Sequence, residues 1–247
     1  MGFLRDRFTK KKIEKRTIIL WTVRFLLVSS IVLNLIFLFP QLFADHVITE
    51  QELLDTVNKK IELVFLTLLT LVLSFLPDYL ERRRKIQIPN ILEIVIVLFI
   101  YAGIFLSVRF DLYYRFFWWD DLLHMLSGLI IGVIGFLLTY KINHKKSMNI
   151  NPLFIAVFAF SFAMTIGVLW EMFEFTVDSF WGTAMQRWNL PENTYLVGRD
   201  YQGSGLRDTM SDLIIDGAGA LITSTVGYFL YKNEKRKTIK AMKDIFQ

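Results

Sequence analysis

The chain has 247 residues, 54% of them hydrophobic, a formal net charge of +5 and no cysteine. Without thiols, disulfides, thiolate chemistry, iron–sulfur clusters and cysteine-type zinc sites are excluded. The apolar residues fall in blocks that reach about 20 residues, enough to cross roughly 30 Å of hydrocarbon. The basic residues cluster beside those blocks, a pattern of membrane topology that gives no reason to expect a nucleic-acid partner.

Residues 1–16 (MGFLRDRFTKKKIEKR) read as a basic cytoplasmic lead-in, and Asp6 spoils the myristoylation pattern that the Met-Gly start would otherwise suggest. The run from Thr17 to Ala44 is too long for a signal-peptide core and reads as a retained first span, with Arg24 inside it expected to snorkel or to pair with Glu93. A second span is predicted over Ile61 to Leu80, followed by the basic ERRRK at 81–85, and a third over Ile91 to Val108. Its exit, RFDLYYRFFWWDD, is rich in the aromatics that favour the membrane interface. A fourth span follows Trp118 and ends at the basic KINHKK of 141–146. The fifth starts at Pro152 and runs to Thr176, and the sixth reaches Tyr231. Basic segments occur at the N-terminus, at 81–85, at 141–146 and in the tail, so they all fall on one side of the membrane. The expected fold is therefore all-α, with about six transmembrane helices and both termini in the cytoplasm. The predicted layout has spans one to three over 17–110 and spans four to six over 111–231, with an extracytoplasmic loop at 178–207 and a basic tail at 232–247.

Three of these spans carry ionisable residues, which are costly at membrane depth and usually face a protein interior or a wet cavity. Span four opens with Asp120, Asp121 and His124; span five closes with Glu171, Glu174 and Asp178; span six opens with Asp208, Asp212 and Asp216. The alternation of sides puts all three sets near the extracytoplasmic surface. At ~1.5 Å per residue, His124, Glu171 and Asp212 or Asp216 reach the same depth. The same spans carry small residues at four-residue spacing: Gly128 and Gly132, then Ala159, Ala163 and Gly167, then Gly219, Thr223 and Gly227. Such rows let helices approach closely in lipid, which predicts a compact bundle of helices four to six around one polar site.

One imidazole among several carboxylates is a hard nitrogen–oxygen ligand set suited to Zn, Mn, Fe or Mg. His124, Glu171, Glu174, Asp212 and Asp216 are the candidate ligands. His124, Glu171, Glu174 and Asp212 are also the candidate acid–base residues for chemistry on a lipid headgroup or cell-envelope precursor. Asp120 stands at the rim with Arg115, Arg199 and Arg207, and those arginines can hold a phosphate or can simply neutralise the acids. Two other readings compete. The acids and His124 can be a structural polar knot in a non-enzymatic scaffold, or steps of a proton or cation path. The cytoplasmic halves of spans four to six offer few polar steps for such a path, Ser161 and Thr165 being minor exceptions. His46 and His144 fall in loops and are given no role; Trp118, Trp119, Trp181 and Trp188 are expected as interfacial anchors.

The segments W-D-D-x-L-H (Trp119 to His124), W-E-x-x-E (Trp170 to Glu174) and D-T-x-x-D-x-x-x-D-x-x-G (Asp208 to Gly219) resemble the YjdF-like bacterial inner-membrane proteins over about residues 90–231. A looser likeness is to the VanZ-like family. There Asp120 and His124 match an Asp–His pair, while Asp212, Asp216 and Gly219 match an Asp-x-x-x-Asn-x-x-Gly segment with Asp216 in place of Asn; Glu174 stands where that family has Gln. These resemblances imply a helical membrane fold and point to the same polar residues; they imply no substrate.

Overall fold

A computed structural model describes residues 15–42, 50–84, 88–146, 150–191 and 195–233. The basic lead-in before Lys15, Lys85 of the ERRRK segment, His46, the side chain of His144 and the tail beyond Asn233 lie outside the described residues. Among the described residues every long element is a helix, and six are long and apolar enough to cross a membrane: Lys15–Phe37, Val57–Arg83, Asn90–Arg109, Trp119–Ile142, Pro152–Trp181 and Ser204–Lys232. The predicted all-α, six-span fold is the one observed, with boundaries shifted by a few residues. The chain divides into two units whose border lies between Leu112 and Tyr113.

The first unit contains α1 (Lys15–Leu42), α2 (Glu50–Leu73), α3 (Leu76–Arg84) and α4 (Asn90–Ile100). A π-helical turn, Tyr101–Leu106, continues α4 into the short α5 (Ser107–Arg109). Leu20, Val23, Leu27, Val97 and Phe105 form its apolar core. Polar residues in these spans mostly satisfy themselves. Thr67 and Thr70 donate to the carbonyls of Leu63 and Leu66 at 2.6 and 2.7 Å, as hydroxyls in hydrocarbon must find a partner nearby.

Arg24 does not pair with Glu93 as expected. Its Nη2 donates to Asp78 Oδ2 at 2.6 Å and to the Ser74 carbonyl at 2.8 Å, beside the break between α2 and α3. The guanidinium also lies 4.0 Å from the centre of the Phe75 ring. Arg16 bonds Glu93 instead. The reason is helical rise: Arg16 precedes Arg24 by eight residues, roughly 12 Å along the axis, and Glu93 stands in the first turn of α4, level with Arg16. Asp78→Ala is expected to destabilise this unit by about 2 kcal/mol, because it strands a buried guanidinium. Arg24→Met, which removes the buried charge itself, should cost less. Thermal unfolding in detergent checks the order, and a larger loss from Arg24→Met would contradict it.

The second unit is led in by α6 (Leu112–Arg115) and built from α7 (Trp119–Lys146), α8 (Pro152–Trp181) and α9 (Ser204–Asn233), each packed on the other two. Asn151 caps α8 by accepting from the Leu153 N–H at 2.9 Å with Pro152 at the first helical position, and Gly182 ends it in a left-handed conformation at φ 62°. The small-residue rows set the packing. A Cβ on Gly128 would overlap the Asp216 carbonyl oxygen, and one on Gly219 would stand 2.5 Å from the Met125 carbonyl oxygen, so α7 and α9 touch backbone to backbone. Gly135 meets Ala159 of α8, and Gly227 lies under the Phe136 ring. Phe136, Ile155 and Ala159 are buried at the opposite end of the bundle from the acids. Apolar side chains such as Phe154, Leu169, Met172 and Phe175 are exposed along α8, the face a lipid environment would cover.

Candidate functional site

The polar residues gather where α7 and α9 begin and α8 ends. On α7, Asp120 and His124 are one turn apart on the same face; on α9, Asp208, Asp212 and Asp216 form a single stripe at four-residue spacing and are at most 2% exposed. On α8, Glu171 and Glu174 are buried toward the same region. Asp216 can enter because α8 has no side chain at Gly167, where a Cβ would stand 2.7 Å from Asp216 Oδ2.

His124 is the centre of the arrangement. Its Nδ1 lies 3.1 Å from Asp216 Oδ2, and Ser127 donates its hydroxyl hydrogen to the other oxygen of that carboxylate. Its Nε2 faces two further carboxylates, Asp120 Oδ1 at 3.7 Å and Asp212 Oδ2 at 3.8 Å. One ligand atom each from Asp120, His124 and Asp212 lies within 4.8 Å of the others. Bonds of about 2.0–2.2 Å around a four-coordinate zinc would put such atoms roughly 3.3–3.6 Å apart, so the set is wider than a filled zinc site and would have to contract around an ion. Among the described residues, Asp212 Oδ2, Asp208 Oδ2 and Glu171 Oε1 are buried without a hydrogen-bond partner. Buried carboxylate oxygens are costly in that state, and a cation satisfies them directly.

A loop between α8 and α9 closes over this end. Asp178 organises it, accepting from the Thr183 hydroxyl at 2.5 Å and from the Met185 and Gln186 N–H groups at 2.8 and 3.0 Å. Asp178 is thereby engaged by the loop. Gln186 then donates to the Thr209 hydroxyl at 2.8 Å and to Glu171 Oε2 at 3.3 Å. The next residue, Arg187, is buried at 4% exposure with a left-handed φ of 45°. Its Nη2 lies 3.3 Å from Asp120 Oδ2, and its Nη1 lies 3.5 Å from Asp208 Oδ1 and donates to the Tyr195 hydroxyl at 3.0 Å. Burial opposes its charge, but the carboxylates of Asp120 and Asp208 outweigh that and hold the guanidinium above its ordinary pKa.

The structure thus brings together Asp120, His124, Glu171, Glu174, Asp208, Asp212 and Asp216. It does not bring in the three arginines singled out from the sequence. Arg115 and Arg199 are exposed. Arg207 is buried but donates to the Leu196 carbonyl and stands 3.7 Å from Asp200, where it ties the loop to α9. The arginine at the cluster is Arg187, which nothing in the sequence separates from its neighbours in the polar loop. Ser127 was more accessible to sequence reasoning, since it follows His124 by three residues on the same helical face.

The family described as Predicted membrane protein (DUF2238) matches residues 47–233, which include every residue of the cluster and reach back to the second span. An uncharacterized protein of Thermotoga maritima is 29% identical over 157 residues, covering 63% of this chain and 71% of that protein. No solved structure matches the chain. The YjdF-like resemblance is consistent with the family match, whereas the VanZ-like one finds no support in these comparisons.

Proposed function

The chain belongs to the DUF2238 family of predicted membrane proteins, and we propose that it is a multi-pass protein of the bacterial cytoplasmic membrane whose last three spans hold a divalent cation at Asp120, His124 and Asp212. The observation that carries this reading is the disposition of the imidazole. With Asp216 at Nδ1, the proton of a neutral His124 sits on that nitrogen and the Nε2 lone pair is turned toward Asp120 and Asp212. A carboxylate that accepts the far N–H of a histidine and so fixes its orientation is the usual companion of a metal-bound imidazole. Asp212 Oδ2, buried and without a hydrogen-bond partner among the described residues, points into the same space.

The basic segments put this end of the bundle on the extracytoplasmic side. Glu171 and Glu174 stand beside the ion site as acid–base groups, with Glu171 held by Gln186 through one oxygen. A divalent ion supplies a Lewis acid for a phosphoryl or carbonyl oxygen. Together with a carboxylate base, it suits hydrolysis or group transfer on the headgroup of a lipid-linked or envelope molecule reached from the membrane surface. The metal-site and scaffold readings differ in what the purified protein contains. Elemental analysis after loading with Zn, Mn, Fe or Mg and washing is expected to give about one equivalent in the wild type and none in a folded Asp212→Asn variant. A wild type that retains no metal would leave the cluster as a structural knot held by Arg187, in a scaffold without metal chemistry.

A further inference from the structure

We infer that Arg187 is a tethered counter-cation of the acidic site, sharing Asp120 with the divalent ion and setting how tightly that ion is held. This rests on the metal reading above and adds its regulation.

Asp120, Asp208, Asp212, Asp216, Glu171 and Glu174 converge on one buried volume. Among the described residues, Arg187 is the one lysine or arginine that forms an ion pair with any of them. It reaches in from a connecting loop and belongs to none of the spans. Its grip is electrostatic and poorly directed. Charge-assisted arginine–carboxylate bonds normally measure about 2.7–2.9 Å and are often paired. Here the contacts to Asp120 and Asp208 are single, at 3.3 and 3.5 Å, and Nη2 makes no aligned hydrogen bond among the described residues. The aligned bond of the guanidinium goes from Nη1 to the Tyr195 hydroxyl, and the rings of Tyr113 and Tyr195 lie 5.8 and 5.9 Å from its central carbon.

Asp120 is divided between two partners. Oδ1 faces His124 Nε2, and Oδ2 faces Arg187. A cation entering beside Oδ1 therefore meets a carboxylate whose charge is already partly neutralised, and it also meets the repulsion of the guanidinium in a low-dielectric interior. Arg187 stabilises the acids when the site holds no ion and weakens ion binding when it does. That sign is opposite to what a residue that merely positions Asp120 would produce.

The test is a Mn²⁺ titration of the full chain in detergent, followed by calorimetry. Arg187→Gln should bind Mn²⁺ at least about tenfold more tightly than wild type, and Arg187→Lys, which keeps the charge, should stay within about threefold of it. Unchanged or weaker binding by a folded Arg187→Gln variant overturns the inference while leaving the metal site standing. No binding by the wild type overturns both. Should Arg187→Gln fail to fold, Tyr195→Phe decides. It removes the aligned bond that holds the guanidinium at a half-exposed ring, and it should tighten Mn²⁺ binding by about threefold. No change there overturns the inference.

Discussion

Replacing His124 by alanine is expected to lower divalent-cation affinity by roughly a hundredfold or more, with the three-helix packing retained, because it deletes the one nitrogen ligand and leaves carboxylates that a hydrated ion contacts only loosely. The helices should survive because α7 and α9 are joined by backbone contact at Gly128 and Gly219, which involves no atom of the imidazole. Asp216 also keeps the Ser127 hydroxyl as a partner. Asp216→Asn tests the same geometry from behind. The amide no longer fixes the imidazole by charge, and a loss of about 10–100-fold is expected with the ligands themselves untouched. Calorimetric titration with Mn²⁺ beside circular dichroism and size-exclusion profiles measures both quantities. An unfolded His124→Ala protein next to a wild type that binds no ion would mean that the imidazole fixes helix register.

Gly128→Ala is expected to be among the most damaging single changes to stability, on the order of 3 kcal/mol, because one methyl group must be fitted between two backbones. The added carbon would overlap the Asp216 carbonyl oxygen and stand 3.0 Å from the Ala220 nitrogen. Neither can yield as a flexible side chain would, so α7 and α9 must separate. The separation also draws Asp216 away from His124, and ion affinity should fall in parallel. Gly132→Ala is the control. Its new methyl meets the Thr223 Cβ at 3.0 Å and no backbone atom of α9 as closely, so a shift of a few tenths of an ångström relieves it. Thermal unfolding in detergent reads the difference, and equal losses at the two positions would show that backbone contact is not what joins these helices.

How much of this was visible in the sequence follows from which signals are local. Span number and the ends of the spans depend on runs of about 20 apolar residues, and Pro152 with Asn151 marks a helix start by capping alone. The four-residue spacing of Gly128 and Gly132, of Ala159, Ala163 and Gly167, and of Gly219, Thr223 and Gly227 names the faces that pack, since helical periodicity fixes which residues share a side. His124 and the acids stood out for the same kind of reason: an ionisable group in an apolar block is anomalous wherever its partners lie.

Pairings across elements were another matter. Arg24 and Glu93 are both buried charges near the same end of their spans, yet each has a different partner, because the axial offset between Arg16 and Arg24 decides who meets whom. Arg115, Arg199 and Arg207 were as plausible in sequence as Arg187, and loop geometry selected among them. Asp178 binds three loop groups, and that fold-back delivers Arg187 to Asp120 and Asp208. The linear chain therefore determined the helical membrane fold and the set of unusual side chains, since periodicity, length and hydropathy act within a single helix. Only the tertiary structure decided that Asp216 sits behind the imidazole with Asp120 and Asp212 before it, and that Arg187 is the counter-charge. Those relations depend on helix offset and loop path, to a precision of an ångström, which no pattern along one segment contains.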